Sequence, residues 1–218
     1  SIFNPIYPRN GSKFTLYFEL TPPYSLFKEK NYYTNLDDDQ ERYKLLEYNK
    51  FKFDGTWYNS LIGDLVIRTH FEFGFLGTYN RSVGLPPFER FFVGGDGLSG
   101  YSIDGREIIA LRGYPNGSLS SDSGDALYNK YNIELRYPIS LNPNSTIYGL
   151  LFTEAGNSWS NYDNFNPFEL KRSAGLGLRI FMPMFGLLGL DFAHGFDNLS
   201  NSNIKSGWQT HFIIGQQF

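Results

Sequence analysis

The feature that most restricts this 218-residue chain is the rhythm of its connections. Eight stretches alternate apolar and polar residues at the two-residue period of a strand with one greasy face. The first sets Phe14, Leu16, Phe18 and Leu20 against Thr15, Tyr17, Glu19 and Thr21, and Pro22-Pro23 ends it. A second, weaker one runs roughly from Lys44 to Tyr58, with Phe51 and Phe53 opposed to Lys50 and Lys52. The third is the clearest: Leu65, Ile67, Thr69, Phe71, Phe73 and Phe75 on one side, Val66, Arg68, His70, Glu72 and Gly74 on the other. Tyr131 to Ile139, Thr146 to Glu154, Ser173 to Phe181, Leu187 to Ala193 and Trp208 to Phe218 complete the set.

The connections run long, short, very long, short, long, short, long. A soluble sandwich has no reason to keep every second link short, whereas a transmembrane barrel has short turns at one rim and longer loops at the other. Strands of about ten residues at a steep tilt span the apolar band of an outer membrane. Three ionisable groups on one face of the third strand suit a wet lumen better than a sandwich core. The fold class expected is all-β, an antiparallel transmembrane β-barrel with eight strands present.

Composition agrees and excludes alternatives. Mean hydropathy is -0.35 and there is no long apolar run, so a transmembrane helix is excluded, but alternating barrel strands are not. Aromatic residues make up 18% of the chain, more than a soluble domain needs and suited to interfacial girdles. With no cysteine there is neither a disulfide framework nor a thiolate metal site, and a net charge of -3 gives no reason to expect nucleic acid. No charged-then-apolar leader stands at Ser1, so an exported chain must have lost it or this is a fragment. Residues 1–218 are expected to form one barrel region.

The very long connection, 80–129, carries Phe88 to Leu119, FERFFVGGDGLSGYSIDGREIIALRGYPNGSL. Its apolar residues, among them Phe91, Phe92, Val93, Ile108, Ile109, Leu111 and Tyr114, would be costly to leave in water, so it must bury itself, and a lumen is the natural place. An Arg112-Gly113-Tyr114 tip on a long loop, the preceding Phe92-Val93-Gly94-Gly95, the four hairpin-forming strands that follow and a terminal Phe218 together resemble the BamA family of outer-membrane protein assembly factors. The resemblance covers nearly the whole chain.

It implies a sixteen-stranded barrel preceded by POTRA domains, of which this chain matches the C-terminal eight strands and contains no POTRA domain. It also implies that the loop folds back into the barrel and that Arg112 meets lumen-facing carboxylates. Parity puts Glu134 on the polar face, and Glu154 stands where the family usually carries aspartate, so Arg112, Gly113, Tyr114, Glu134 and Glu154 are assigned as a loop latch. Taken bare, such an arginine and such glutamates are more often ordinary lumen polars than a latch. The last stretch places Trp208, Phe212, Ile214 and Phe218 on one face. By resemblance it is the seam strand and sorting signal, with Gly215 beside them, where an incompletely paired edge templates an incoming client strand. Gly175, Gly177 and Gly189 fit a wall that bends.

The implied partners are outer-membrane lipid, unfolded outer-membrane clients and accessory assembly lipoproteins, in the outer membrane of a Gram-negative bacterium. No bond is made, so no enzyme and no cofactor is expected. A secretion pore of the same superfamily and a small structural or adhesive barrel are the alternatives. Eight strands alone have two edges that lipid cannot tolerate. The chain is therefore part of a larger barrel, closes on itself or forms a homodimer ring. We expect closure on itself, with the Arg112 loop displaced outward or disordered, because an eight-stranded interior holds little beyond its own side chains.

Other signals are weaker. Gly95-Asp96-Gly97-Leu98-Ser99-Gly100 matches a dinucleotide fingerprint but lacks its helix and second parallel strand. His70, His194 and His211 lie on separate strands without metal-ligand spacing, and no serine sits in a nucleophile elbow. Asp37-Asp38-Asp39 reads as a solvated loop, and the Asn-x-Ser/Thr matches as turn chemistry.

Overall fold

The structure is a computed structural model in which residues 6–27, 43–80, 82–96, 106–200 and 202–215 are described. Alternation becomes a single antiparallel sheet of eight strands: β1 (Gly11–Leu20), β2 (Tyr48–Ser60), β3 (Val66–Thr78), β6 (Leu127–Asn142), β7 (Ser145–Trp159), β8 (Lys171–Met182), β9 (Gly186–Asn198) and β10 (Lys205–Ile214). Each pairs with its neighbour in sequence, apart from the excursion between β3 and β6. That excursion holds two short strands, β4 (Phe91–Val93) and β5 (Glu107–Ile109), paired in parallel. At three residues each they are too short for any periodicity to betray them.

The strands outrun the alternation that revealed them. β6 begins at Leu127 rather than near Tyr131, because Leu127 to Lys130 are buried on both faces and the polar/apolar contrast disappears there. Leu127 clusters with Ala126, Trp159 and Leu85, while Tyr128, on the opposite face of β6, packs under the long loop.

The two faces of the wall differ as the alternation requires. The convex face carries a continuous aromatic lattice: Phe14 against Phe53 and Trp57, Phe53 on Phe71, Phe73 on Tyr131, and Phe51 on Phe18 and Phe75. Half-buried to exposed, these rings are the kind of face a barrel wall turns to lipid rather than a core. The concave face carries Lys50, Arg68, His70, Glu134, Arg136, Glu154, Arg179 and Asp191, all buried. An apolar cluster near the short turns, Tyr7, Tyr58, Val66, Tyr148, Leu150, Phe152, Leu187 and Ala193, closes that end.

Two expectations are corrected here. Among the described residues the sheet does not close: β1 and β10 are its two ends, with no pairing between them. The Arg112 loop is neither displaced outward nor disordered at its tip; Arg112 is wholly buried against the concave face. The two corrections share one cause. The argument for displacement assumed a ring of eight strands, whose interior its own side chains would fill. An open sheet leaves room in the concavity, and the loop occupies it.

The three glycines expected to suit a bending wall make space for their neighbours. A Cβ on Gly177 would stand 1.8 Å from Asp191 Oδ1, and one on Gly189 2.9 Å from Arg179 Cδ, so both clear the ion pair beside them. A Cβ on Gly175 would meet the Phe192 carbonyl oxygen at 2.3 Å and Phe152 Cζ at 2.6 Å.

Candidate functional site

The site begins with the loop's own fold. β4 and β5 lie side by side, Gly95 bridges Leu111, and Phe91 bridges Asp125 at the loop's return. Asp125 accepts hydrogen bonds from Ser121, Ser158 and Ser160 at 2.9, 2.6 and 2.6 Å, tying the return to β7 and its flank. Phe91, Val93, Ile109, Leu111, Tyr114 and Leu119 then share one core with Tyr48, Leu76 and Tyr128 of the wall. The loop is thus a second packed layer on the concave face, and its burial drives the tip to mid-wall.

At that tip the Arg112 guanidinium finds three carboxylates from three strands. Nε and Nη2 donate to Glu154 Oε1 at 3.0 and 2.7 Å, Nη2 to Glu134 Oε1 at 2.8 Å, and Nη1 to Asp191 Oδ2 at 2.9 Å. Its backbone N–H donates to Glu154 Oε2 at 2.7 Å, and its Cζ sits 3.5 Å from the centre of the Phe152 ring. Planarity and multiple donors suit arginine, and not lysine, to this fork-like meeting.

The carboxylates are themselves held. Arg136 donates to Glu134 Oε2 at 2.8 and 2.5 Å, Arg179 to both oxygens of Asp191 at 2.6 and 2.8 Å, and Asn132 Nδ2 to Glu154 Oε1 at 3.0 Å. Arg68 stands 3.6 Å from Glu134. Such a network survives burial only because nearly every charge is paired and hydrogen-bonded.

Gly113 has φ +87°, a left-handed conformation, and an added Cβ would lie 2.7 Å from Ser173 Cβ and 3.1 Å from the Gly195 nitrogen. Its N–H donates to His211 Nε2 at 2.8 Å and its carbonyl accepts from Ser206 Oγ at 2.5 Å, both on β10. Accepting that N–H requires a lone pair on Nε2, so the His211 proton resides on Nδ1, which faces Asp96 at 3.7 Å. The Tyr114 hydroxyl donates to the Arg172 carbonyl at 2.7 Å.

Nearer β5 the contact reverses sign. Lys50 of β2 meets Glu89 at 2.9 Å and Glu107 at 2.7 Å, and Lys52 meets Glu107 at 2.6 Å. Among the described residues one cluster, Asp54, His70 and Glu72, has metal-ligand chemistry. The His70 ring nitrogens are already engaged, Nδ1 with Thr56 Oγ1 and Nε2 with Glu72, each at 2.8 Å, so the cluster acts as a polar brace between β2 and β3.

The five residues assigned to the latch therefore come together, and Glu154 reaches Arg112 despite its extra methylene. Sequence reasoning missed Asp191, Arg179, His211, Ser206 and the two lysines. Asp191 was the most accessible: it is the one acid in the alternating stretch GLLGLDFAHG, on the parity of Gly189 and Ala193. Trp208, Phe212 and Ile214 point outward from β10, 72%, 62% and 59% exposed, and Gly215 N–H donates to the Leu187 carbonyl at 2.7 Å. Phe218, Asp37 to Asp39 and the whole glycine-rich 97–105 segment lie outside the described residues.

A family model, the Omp85 superfamily domain, matches residues 4–218. The chain belongs to the Omp85 superfamily. Among solved structures it is similar to BamA from Haemophilus ducreyi lacking POTRA domains 1-3, with a TM-score of 0.65 at 16% identity. The match covers 98% of this chain and 40% of that one, so the chain spans less than half the length of its structural relative. No curated protein sequence matches the chain. Within the Omp85 architecture the open sheet is a length of barrel wall, its convex side suited to lipid and its concave side filled by the latched loop.

Proposed function

We propose that this Omp85 chain is the C-terminal wall of an outer-membrane assembly factor, which folds and inserts other outer-membrane barrels through its β10 edge. The observation that carries the reading is the tie between latch and edge: Gly113, next to Arg112, is hydrogen-bonded on both sides to β10 through His211 and Ser206. A loop gripping β10 suits an assembly factor, because it fixes the position of the strand on which a client would pair. The partners would be outer-membrane lipid, unfolded barrel clients and accessory lipoproteins, without covalent chemistry.

The test is client folding into vesicles by the full-length protein and its Arg112→Ala variant. The reading expects acceleration by wild type and a drop of about tenfold or more in the variant, the scale of losing a buried charge-assisted contact. Superfamily membership equally admits a secretion pore. Wild type that conducts or translocates but never accelerates client folding would establish that alternative.

A further inference from the structure

The β10 edge carries a hydrogen bond that the latch does not explain. Opposed residues in an antiparallel pair alternate between those that exchange N–H···O bonds and those that do not. Gly215 N–H points to the Leu187 carbonyl of the neighbouring β9 side, and Ile213 pairs with Gly189 in the same phase. Phe212, one residue out of phase, turns its N–H to the open edge, where it donates to Asp96 Oδ2 at 3.2 Å. Asp96 belongs to the long loop and is 4% exposed.

Its position is fixed from behind. The Asp96 N–H donates to Asn116 Oδ1 at 3.0 Å. Gly94 and Gly95 precede it at φ +124° and +80°, and a Cβ on Gly95 would stand 1.6 Å from that same Asn116 oxygen. The carboxylate also faces His211, whose other ring nitrogen accepts the Gly113 N–H.

We propose that Asp96 is a positioning residue that caps the β10 edge: it fills the acceptor place at Phe212 that the backbone carbonyl of an added strand would need. A free strand edge in lipid leaves its N–H groups without water, so a carboxylate there both satisfies the donor and blocks unscheduled pairing. An incoming strand must displace Asp96. Because His211 touches both Asp96 and Gly113, the cap and the Arg112 latch meet at one side chain. This inference rests on the assembly reading for its partner, a client β-strand, but the cap itself does not.

The experiment measures two things in the full-length protein in lipid: amide exchange at Phe212 relative to Ile213, and cross-linking of a client-strand peptide to a cysteine placed at Thr210. Asp96→Ala is expected to raise Phe212 exchange about tenfold with Ile213 unchanged, and to raise cross-linking severalfold. Asp96→Asn, which keeps an acceptor oxygen, is expected to remain near wild type and guards against a variant that simply misfolds. Unchanged Phe212 exchange in Asp96→Ala overturns the cap. Raised exchange with wild-type levels of capture overturns its role in admitting strands. Raised exchange with no capture by any form, wild type included, upholds the cap and removes the assembly reading instead.

Discussion

The loop touches the wall with opposite signs at its two ends. On β6, β7 and β9 the wall supplies carboxylates and the loop a guanidinium; on β2 the wall supplies lysines and the loop the carboxylates Glu89 and Glu107. The ends also differ in burial. Arg112 and its three acids have no exposed side-chain surface, while Glu89 and Glu107 are 28% and 25% exposed. The inversion makes the seating directional, since a loop shifted across the wall would bring like charges together. The burial difference divides the labour: the deep end determines whether the loop is held, the shallow end where its shoulder rests.

The sharpest way to break the asymmetry is at the deep end. Arg112→Ala strands Glu134, Glu154 and Asp191, two of which keep other arginines, and is expected to cost about 3–5 kcal/mol. Arg112→Lys recovers part of that, because one ammonium cannot serve three acids in the guanidinium's plane. Urea midpoints of heat-modifiable gel mobility measure both; equal stability of Arg112→Ala and wild type would remove the distinction between the ends.

A smaller effect tests whether the deep end depends on the room left for it. Gly177→Ala puts a methyl 1.8 Å from Asp191 Oδ1 by rigid geometry, so Asp191 must swing away from Arg179 or Arg112. The expected cost is about 1–3 kcal/mol, typical of overpacking, measured on the same gels. Gly149→Ala is the control, since its nearest neighbour, the Gly177 carbonyl oxygen, lies 4.0 Å away. A variant at Gly177 as stable as that control would return the glycine to the role of bending the strand.

How far this was readable beforehand follows from what each contact depends on. Strands and their faces depend on local alternation, so Glu134 and Arg68 could be placed on the polar side from their neighbours alone. Arg112 and its pairing with Glu134 and Glu154 were nominated by resemblance, and parity added only that Glu134 can face inward. Asp191 shared the right parity, but its convergence on Arg112 depends on the curvature of four strands, which no local pattern records. The Lys50 contact was less legible still. Glu89 and Glu107 sit in a segment without periodicity, and their partners are fixed only once β4 and β5 pair. The open edge, and with it the room for the loop, is a property of the whole sheet.

The shallow end supplies the smallest effect and completes the contrast. Lys50→Ala leaves Glu107 with Lys52 at 2.6 Å, and Glu89, already partly exposed, is free to turn to water. The expected loss is about 0.5–1 kcal/mol, and Lys52→Ala should cost less than that. At about 1 M salt the Debye length falls to about 3 Å, so the Lys50 effect should shrink while the Arg112→Ala effect persists. Double-mutant cycles of Lys50 with Glu107, run at low and high salt, measure this directly. Coupling that ignores salt would mean that the β2 end is as sealed from water as the Arg112 end, and the loop would then be clamped at two points rather than held at one and steered at the other.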